Sequence, residues 1–205
     1  MTPLFSTAYF PSVAYIATLM KYPEIQIETK ETFPKQTYRN RMEILTAGGI
    51  RALSAPVIRN NHSRTEEVRI DYKERWNIIH LRTIEAAYAA SPYYEYYRDD
   101  LIAILTPRYN YLLELNTVAL NWLLKRLKIT TTITPTSDYL PELTDNHIDF
   151  RNTFSPKKAL QENNFKPYYQ VFNDRQPFSP NLSTLDLLMN LGPEAKDYLE
   201  NIRIF

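Results

Sequence analysis

The sequence predicts a mixed fold, α+β or α/β, with short strands mainly in the N-terminal third, a helical middle and a capped helix pair at the C-terminus. Three observations carry that reading. Short apolar or alternating runs, broken by Pro, Gly and polar loops, fill residues 4–70. From Trp76 to Leu127 the apolar residues recur at helical spacing. Near the end, Ser183 precedes an apolar run that Gly192 stops, and Pro193 opens another helix. No internal repeat appears, and 205 residues are most simply one domain spanning 1–205.

Leu4 to Phe10 is apolar and aromatic and ends at Pro11, which predicts a short buried strand. Ser12 is placed to cap a helix over Val13–Met20, too apolar for a solvated surface helix. Ile25-Gln26-Ile27-Glu28 alternates as a strand does, and Thr29 to Arg41 is a polar loop carrying Pro34. Met42–Leu45, Gly48-Gly49 and Ile50–Val57 form a predicted β-hairpin. Arg59–Thr65 is a polar loop, and Val68-Arg69-Ile70 is a further short strand. Asp71 and Glu74 have capping-box spacing before a helix through Trp76, His80, Ala87 and Tyr88. Ser91-Pro92 starts the next helix, which Pro107 stops after Leu105. Leu112, Leu115, Ala119, Trp122, Leu123 and Leu127 mark a third, whose basic end complements the helix dipole. Ile129–Thr136 is rich in β-branched residues and reads as a strand. Residues 137–167 read as an irregular arm, Tyr168–Phe172 as a short strand, and Ser183-x-x-Asp186 as a capping-box variant.

Composition excludes several chemistries. There are only three glycines, two of them adjacent, so no G-x-G-x-x-G, P-loop or G-x-S-x-G pattern can be written. With no cysteine, thiolate nucleophiles and Cys-ligated metal centres are excluded. His62, His80 and His147 show no H-x-H or H-E-x-x-H spacing, so no metal site is assigned, and no cofactor is named by any motif. No apolar stretch approaches the ~18 residues of a membrane span, and Met1 to Ser6 lacks a basic leader, so the expectation is a cytoplasmic chain. The net charge is +1, yet residues 35–82 hold ten Lys/Arg against five Asp/Glu. That excess suits a small anion and is too small for an extended nucleic-acid track.

Several blocks then come together in order: Ser6-Thr7-Ala8-Tyr9-Phe10-Pro11, Tyr38-Arg39-Asn40-Arg41, Leu53-Ser54-Ala55-Pro56-Val57, Trp76-x-x-x-His80, Tyr88 before Ser91-Pro92-Tyr93-Tyr94, and Phe178 to Pro193. In this order and spacing the chain resembles the WbqC-like protein family of bacteria, which is associated with O-antigen and other surface-glycan biosynthesis. Many members of that family carry His-Gln-Pro where this chain has Ser6-Thr7-Ala8, and acidic residues with a glutamine where it has Glu28-Thr29-Lys30-Glu31-Thr32.

The candidate residues follow from chemistry and from those blocks. Arg39 and Arg41, with Asn40 between them, can fork around a phosphate or carboxylate; the alternative is charge pairing with Glu31 or Glu43. His80, one turn beyond Trp76, is the acid/base candidate; the alternative is a half-buried histidine satisfied by a backbone carbonyl. Asp145-Asn146-His147-Ile148-Asp149, if a strand, sets two carboxylates and an imidazole on one face; the alternative is a solvated loop. The matched blocks place Tyr9, Tyr38, Trp76 and Tyr88 nearest a pocket for a small anionic or sugar-linked ligand. Three functions compete. The first is a transferase acting on a sugar-nucleotide or other surface-glycan precursor. The second is a non-catalytic small-molecule-binding or scaffold protein that kept the fold after losing the N-terminal histidine. The third is RNA binding through residues 35–82 and the tyrosines Tyr93, Tyr94, Tyr96 and Tyr97.

Overall fold

A computed structural model describes residues 1–139, 147–156 and 164–204. The first strand, β1 (Thr2–Ser6), leads through α1 (Val13–Leu19) to β2 (Glu24–Glu28), and the two strands are parallel. A hairpin follows, β3 (Arg41–Thr46) with β4 (Gly49–Ser54), and then a two-residue ladder of β5 (Val57–Ile58) with β6 (Arg69–Ile70). The helices α2 (Trp76–Tyr88), α3 (Tyr94–Leu105) and α4 (Leu112–Arg126) come next. Then β7 (Thr132–Pro135) and β8 (His147–Asp149) return to the first sheet, and α5 (Thr184–Leu191) and α6 (Ala195–Glu200) close the chain.

The main sheet has the order β7-β2-β1-β8 with every pairing parallel, which makes the fold mixed α/β. All four strand ends therefore point to one edge: Ser6, Glu28, Pro135 and Asp149. The chain leaves β1 toward β2 on one side, while β8 pairs on the other. In open parallel sheets, ligands gather outside the carboxyl ends beside such a reversal. Phe5 anchors the core beneath this edge. Its ring centroid lies 5.0 Å from Tyr15, 4.9 Å from Phe150 and 6.1 Å from Phe154.

The aromatic turn after β1 docks onto the start of α5. Ser183 Oγ donates to the Phe10 carbonyl at 2.9 Å, Thr184 Oγ1 and N–H donate to the Pro11 carbonyl, and the Val13 N–H donates to the Leu182 carbonyl. Phe10 is held at φ +42°, a left-handed conformation that costs on the order of 1–3 kcal/mol for a bulky residue. Those four bonds, together with burial of the ring, offset it.

Several local expectations change. Ser12 precedes α1, but its side chain makes no cap; Asn181 Oδ1, far along the chain, accepts from the Ala14 N–H instead. Asp71 accepts from the Lys73 N–H in a local turn, and α2 starts after it at Trp76 without a side-chain cap. Ser91 bonds back to the Tyr88 carbonyl and so ends α2; α3 begins at Tyr94. The hairpin stops at Ser54 because Pro56 cannot donate to a ladder, and Val57 pairs with Ile70 instead. The irregular arm contains β8, which β1 recruits as an outer strand of three residues. Such a strand is too short to show a period. Tyr168–Phe172 forms no ladder; Gln170 is buried and bonded to Ser179 and Asp186. Ser183 does cap α5, and Gly192 does end it at φ +53°.

Gly192 also lets Tyr93 close against the turn, since a Cβ there would sit 2.5 Å from the Tyr93 ring. We expect Gly192→Ala to lower stability by about 1–3 kcal/mol, from overpacking and left-handed strain together. A denaturant midpoint unchanged from the parent chain would contradict this packing.

Candidate functional site

The polar groups just beyond the strand ends are buried and interlocked. Glu28, fully buried at the end of β2, accepts from the Lys30 N–H at 2.8 Å and from Thr136 Oγ1 at 2.9 Å. Its other oxygen faces Arg151 at 3.4 Å, and Arg151 also grips Asp149 at 2.8 Å. Burial pushes the Asp149 carboxyl up, but its several bonds to Arg151 outweigh this and hold it below the ordinary range. Arg39 makes a two-pronged pair with Glu31, at 2.7 and 2.9 Å, and also donates to the Arg151 carbonyl at 3.3 Å. Burial raises the Glu31 pKa even though Arg39 opposes the shift.

The expected residues therefore part company. Arg39 is consumed by Glu31, one of its two foreseen partners. Arg41 lies half-buried on β3 opposite Ser54. Asn40 exchanges bonds with Ala55: its side chain donates to the Ala55 carbonyl, and its own carbonyl accepts from the Ala55 N–H. Tyr38 donates to Glu43 at 2.8 Å. Tyr9, Trp76 and His80 do come together, with Tyr9 Oη 2.9 Å from His80 Nδ1 and the Trp76 and His80 rings 5.0 Å apart. They meet inside the core, where His80 is only 4 % exposed. The Ser54 backbone favours the protonated ring, but less than its surroundings disfavour it. Burial first, then the Arg51 charge, lower the His80 pKa to about 4, so the ring is neutral near pH 7. Tyr88 donates to Asp186 at 3.0 Å, beside Tyr168 at 2.6 Å and Gln170 at 2.9 Å. Burial raises the pKa of Asp186 and of both tyrosines. Among the described residues, the five clefts over which Tyr97, Asn116, Tyr198, Arg82 and Tyr22 stand are not lined by Tyr9, Tyr38, Arg39, Asn40, Arg41, Trp76, His80 or Tyr88.

Asp145 and Asn146 lie outside the described residues. His147 and Asp149 are on β8, and Asp149 is engaged by Arg151. Among the described residues no group of three His, Cys, Asp or Glu could hold a metal ion, and no helix is long and apolar enough to cross a membrane.

A cleft does open at the carboxyl ends of the sheet. It has a volume of about 250 Å³ and lies between β2, β7 and α4. Thr7 follows β1, Thr29 follows β2 and Pro135 ends β7; α4 supplies Asn116, Thr117, Leu120 and Asn121. None of the described residues that line it is charged. Asn116 is 1 % exposed, and its Nδ2 donates to Thr7 Oγ1 at 3.0 Å and to the Arg39 carbonyl at 2.8 Å. Because a carbonyl can only accept, the amide cannot be flipped. Its Oδ1 is thus a buried acceptor with no partner among the described residues. Such an orphan in a native core calls for an explanation, and an absent ligand or water is one.

Sequence reasoning passed over Thr7, Thr29 and Asn116, although signals existed. Thr7 and Thr29 sit in the two blocks where the chain departs from the family resemblance. Asn116 interrupts the apolar face of α4, four residues from both Leu112 and Leu120.

The geometry defines a small α/β protein with a neutral polar cleft at the ends of a parallel sheet. Residues 7–155 match the WbqC-like protein family, and the chain belongs to that family. It is also 26 % identical, over 95 % of its length and 93 % of the relative's, to the "Uncharacterized protein Rv1507c" of Mycobacterium tuberculosis (strain ATCC 25618 / H37Rv). No solved structure matches the chain.

Two predictions separate structural from functional roles. Arg39→Met should cost about 3–5 kcal/mol by stranding the buried Glu31 carboxyl, and Arg39→Met with Glu31→Leu should recover most of it. Equal midpoints for single and double variants would refute that pairing. His80 titrates lower in the folded chain than unfolded, so stability is retained above about pH 6.5 and lost as pH falls toward 4. The loss amounts to about 3 kcal/mol at full protonation. In His80→Gln, denaturant midpoints between those pH values should change less than in the parent chain.

Proposed function

We propose that this protein binds a small hydroxylated, uncharged group, of monosaccharide size, in the cleft over Thr7, Thr29 and Asn116. One observation carries the reading: a buried amide oxygen without a partner, set among hydroxyls, carboxamides and apolar walls. An unpaired acceptor at that depth calls for a donor, and a sugar hydroxyl supplies one. The walls of Leu113, Leu120, Ile27 and Ile133 suit the C–H faces of a ring. The volume is close to the lower end of small-molecule sites, about 300 Å³. The resemblance to a family associated with O-antigen and surface-glycan biosynthesis points to the same ligand chemistry.

Among the described residues no ionisable side chain lines this cleft, and His80 lies in the core and is not among its lining residues. Both facts favour the binding reading over a transferase that uses His80 as acid or base. Titration of the full chain with a panel of neutral monosaccharides, followed by amide NMR shifts, tests it. We expect saturable shifts at Thr29 and Asn116. Thr117→Trp, a substitution at the exposed rim, should abolish them while leaving the melting temperature near the parent value. Binding that survives Thr117→Trp would refute the site. Turnover of a sugar nucleotide that disappears in His80→Ala would move the reading to a transferase.

A further inference from the structure

A second cleft lies at the opposite end of α4. It has a volume of about 520 Å³ and opens between the start of α3, the end of α4 and the start of α6. Four cations line it, Lys125, Arg126, Lys128 and Lys196, against one carboxylate, Asp197. A shallower depression of about 200 Å³ continues from it, sharing Lys128 and Lys196 and adding Lys21 and Glu200; Glu200 pairs with Lys196 at 3.6 Å, an exposed i,i+4 pair that a bound anion can displace. The two clefts share no lining residue among those described.

Its aromatic wall is fixed in place. Tyr93 closes against Gly192, and its N–H donates to the Met189 carbonyl at 3.1 Å. Tyr97 stands edge-on to Trp122, with centroids 6.0 Å apart, and Tyr96 stands edge-on to Tyr97 at 4.9 Å. The Arg126 guanidinium lies 5.6 Å from the Tyr96 ring and 6.0 Å from the Tyr97 ring. It is paired with Asp100, which Trp122 Nε1 also holds at 2.8 Å. Arg126 Nε is nevertheless buried without a partner among the described residues. Lys125 and Lys128 make no ion pair among the described residues.

The dipole of α4 accounts for basic residues in its last turn, Lys125 and Arg126. It does not account for Lys196 on α6 or Lys21 beyond α1, which approach the same groove from other elements. Nor does it account for Tyr96, whose ring is 66 % exposed beside the guanidinium. An exposed aromatic face next to converging cations is complementary to a flat ring that carries negative charge.

We propose that this groove binds a ring-bearing diphosphate, of which a nucleoside diphosphate is the simplest form. The ring stacks on Tyr96, and the diphosphate lies across Lys128 and Lys196 toward Lys21. Side chains do this work because the chain has no glycine-rich loop to offer backbone N–H groups. The cleft gathers four cations against one carboxylate on a chain of net charge +1, a local excess that suits a compact anion better than a long polyanion.

Calorimetric titration of the full chain with ADP, pyrophosphate, adenosine and glucose 1-phosphate tests the proposal. ADP should bind saturably at low salt and weaken about tenfold at high salt. Lys125→Ala with Lys128→Asn, the latter chosen for its left-handed backbone, should weaken ADP by about tenfold as well. Tyr96→Ala should weaken ADP about fivefold or more while leaving pyrophosphate unchanged, because only the ring loses its platform. Tyr96 is exposed, so its variant should keep the parent melting temperature. The proposal is overturned by the absence of ADP binding at low salt, by pyrophosphate or glucose 1-phosphate binding as tightly as ADP, or by ADP binding that Tyr96→Ala leaves intact. Strong preference for a single-stranded oligonucleotide over ADP would overturn it in favour of an RNA surface.

Discussion

The polar groups at the carboxyl edge of the sheet depend on how Glu28 is neutralised. A parallel sheet sends all its strand ends to one side, and here that side is closed over by the polypeptide. Glu28 is fully buried there. An isolated carboxylate at such a place would cost several kcal/mol. Its partners come from every direction: the Lys30 amide from just beyond its own strand, Thr136 from just after β7, and Arg151 from just beyond β8. Arg39 and Glu31 extend the same lattice, and Asn116 ties it to α4 and to the end of β1. Removing one member leaves another charge stranded, so the lattice specifies the arrangement of the strand ends more than it adds net stability.

This lattice also determines which chemistry remains for a ligand. Guanidiniums are the natural partners of a bound phosphate. Near the sheet edge, however, Arg39 and Arg151 already hold Glu31, Asp149 and Glu28. What faces the adjoining cleft is neutral: three threonine hydroxyls and two carboxamides among aliphatic side chains. Its hydrogen-bonding groups are uncharged, and among the described residues Asn116 Oδ1 has no partner. Four cationic side chains meet instead at the far end of α4.

The sequence conveyed the large features because they depend on local patterning. The helical spacing from Trp76 to Leu127, the hairpin around Gly48-Gly49 and the Ser183 and Gly192 stops all survive in the structure. What it did not convey depends on partners distant in the chain. Ser12 has the right chemistry for a cap, yet Asn181 does the capping because the turn through Phe10 and Pro11 is docked on α5. β8 has three residues and exists because β1 offers it an open edge. The candidate residues suffered in the same way. Arg39-Asn40-Arg41 looked like a paired anion fork, but alternation along an extended segment says nothing about a buried Glu31 waiting for one member. His80 follows Trp76 by one helical turn; that it meets Tyr9 and lies in the core follows from packing of α2 against β3.

The two clefts are related through one helix. Thr117, Asn121 and Lys125 succeed one another at intervals of four residues, so they lie along a single exposed stripe of α4. Thr117 and Asn121 rim the neutral cleft, and Lys125 begins the cationic one. At 1.5 Å of rise per residue, Asn121 and Lys125 are only about 6 Å apart along the axis. The helix thus presents neutral hydrogen-bonding groups on its N-terminal half and positive charge at its C-terminal end. That order has a physical cause. Glu114 in the first turn and cations in the last complement the helix dipole. The positive end is therefore the end where lysines can gather without destabilising α4, and the midsection is where an uncharged ring can lie against aliphatic side chains.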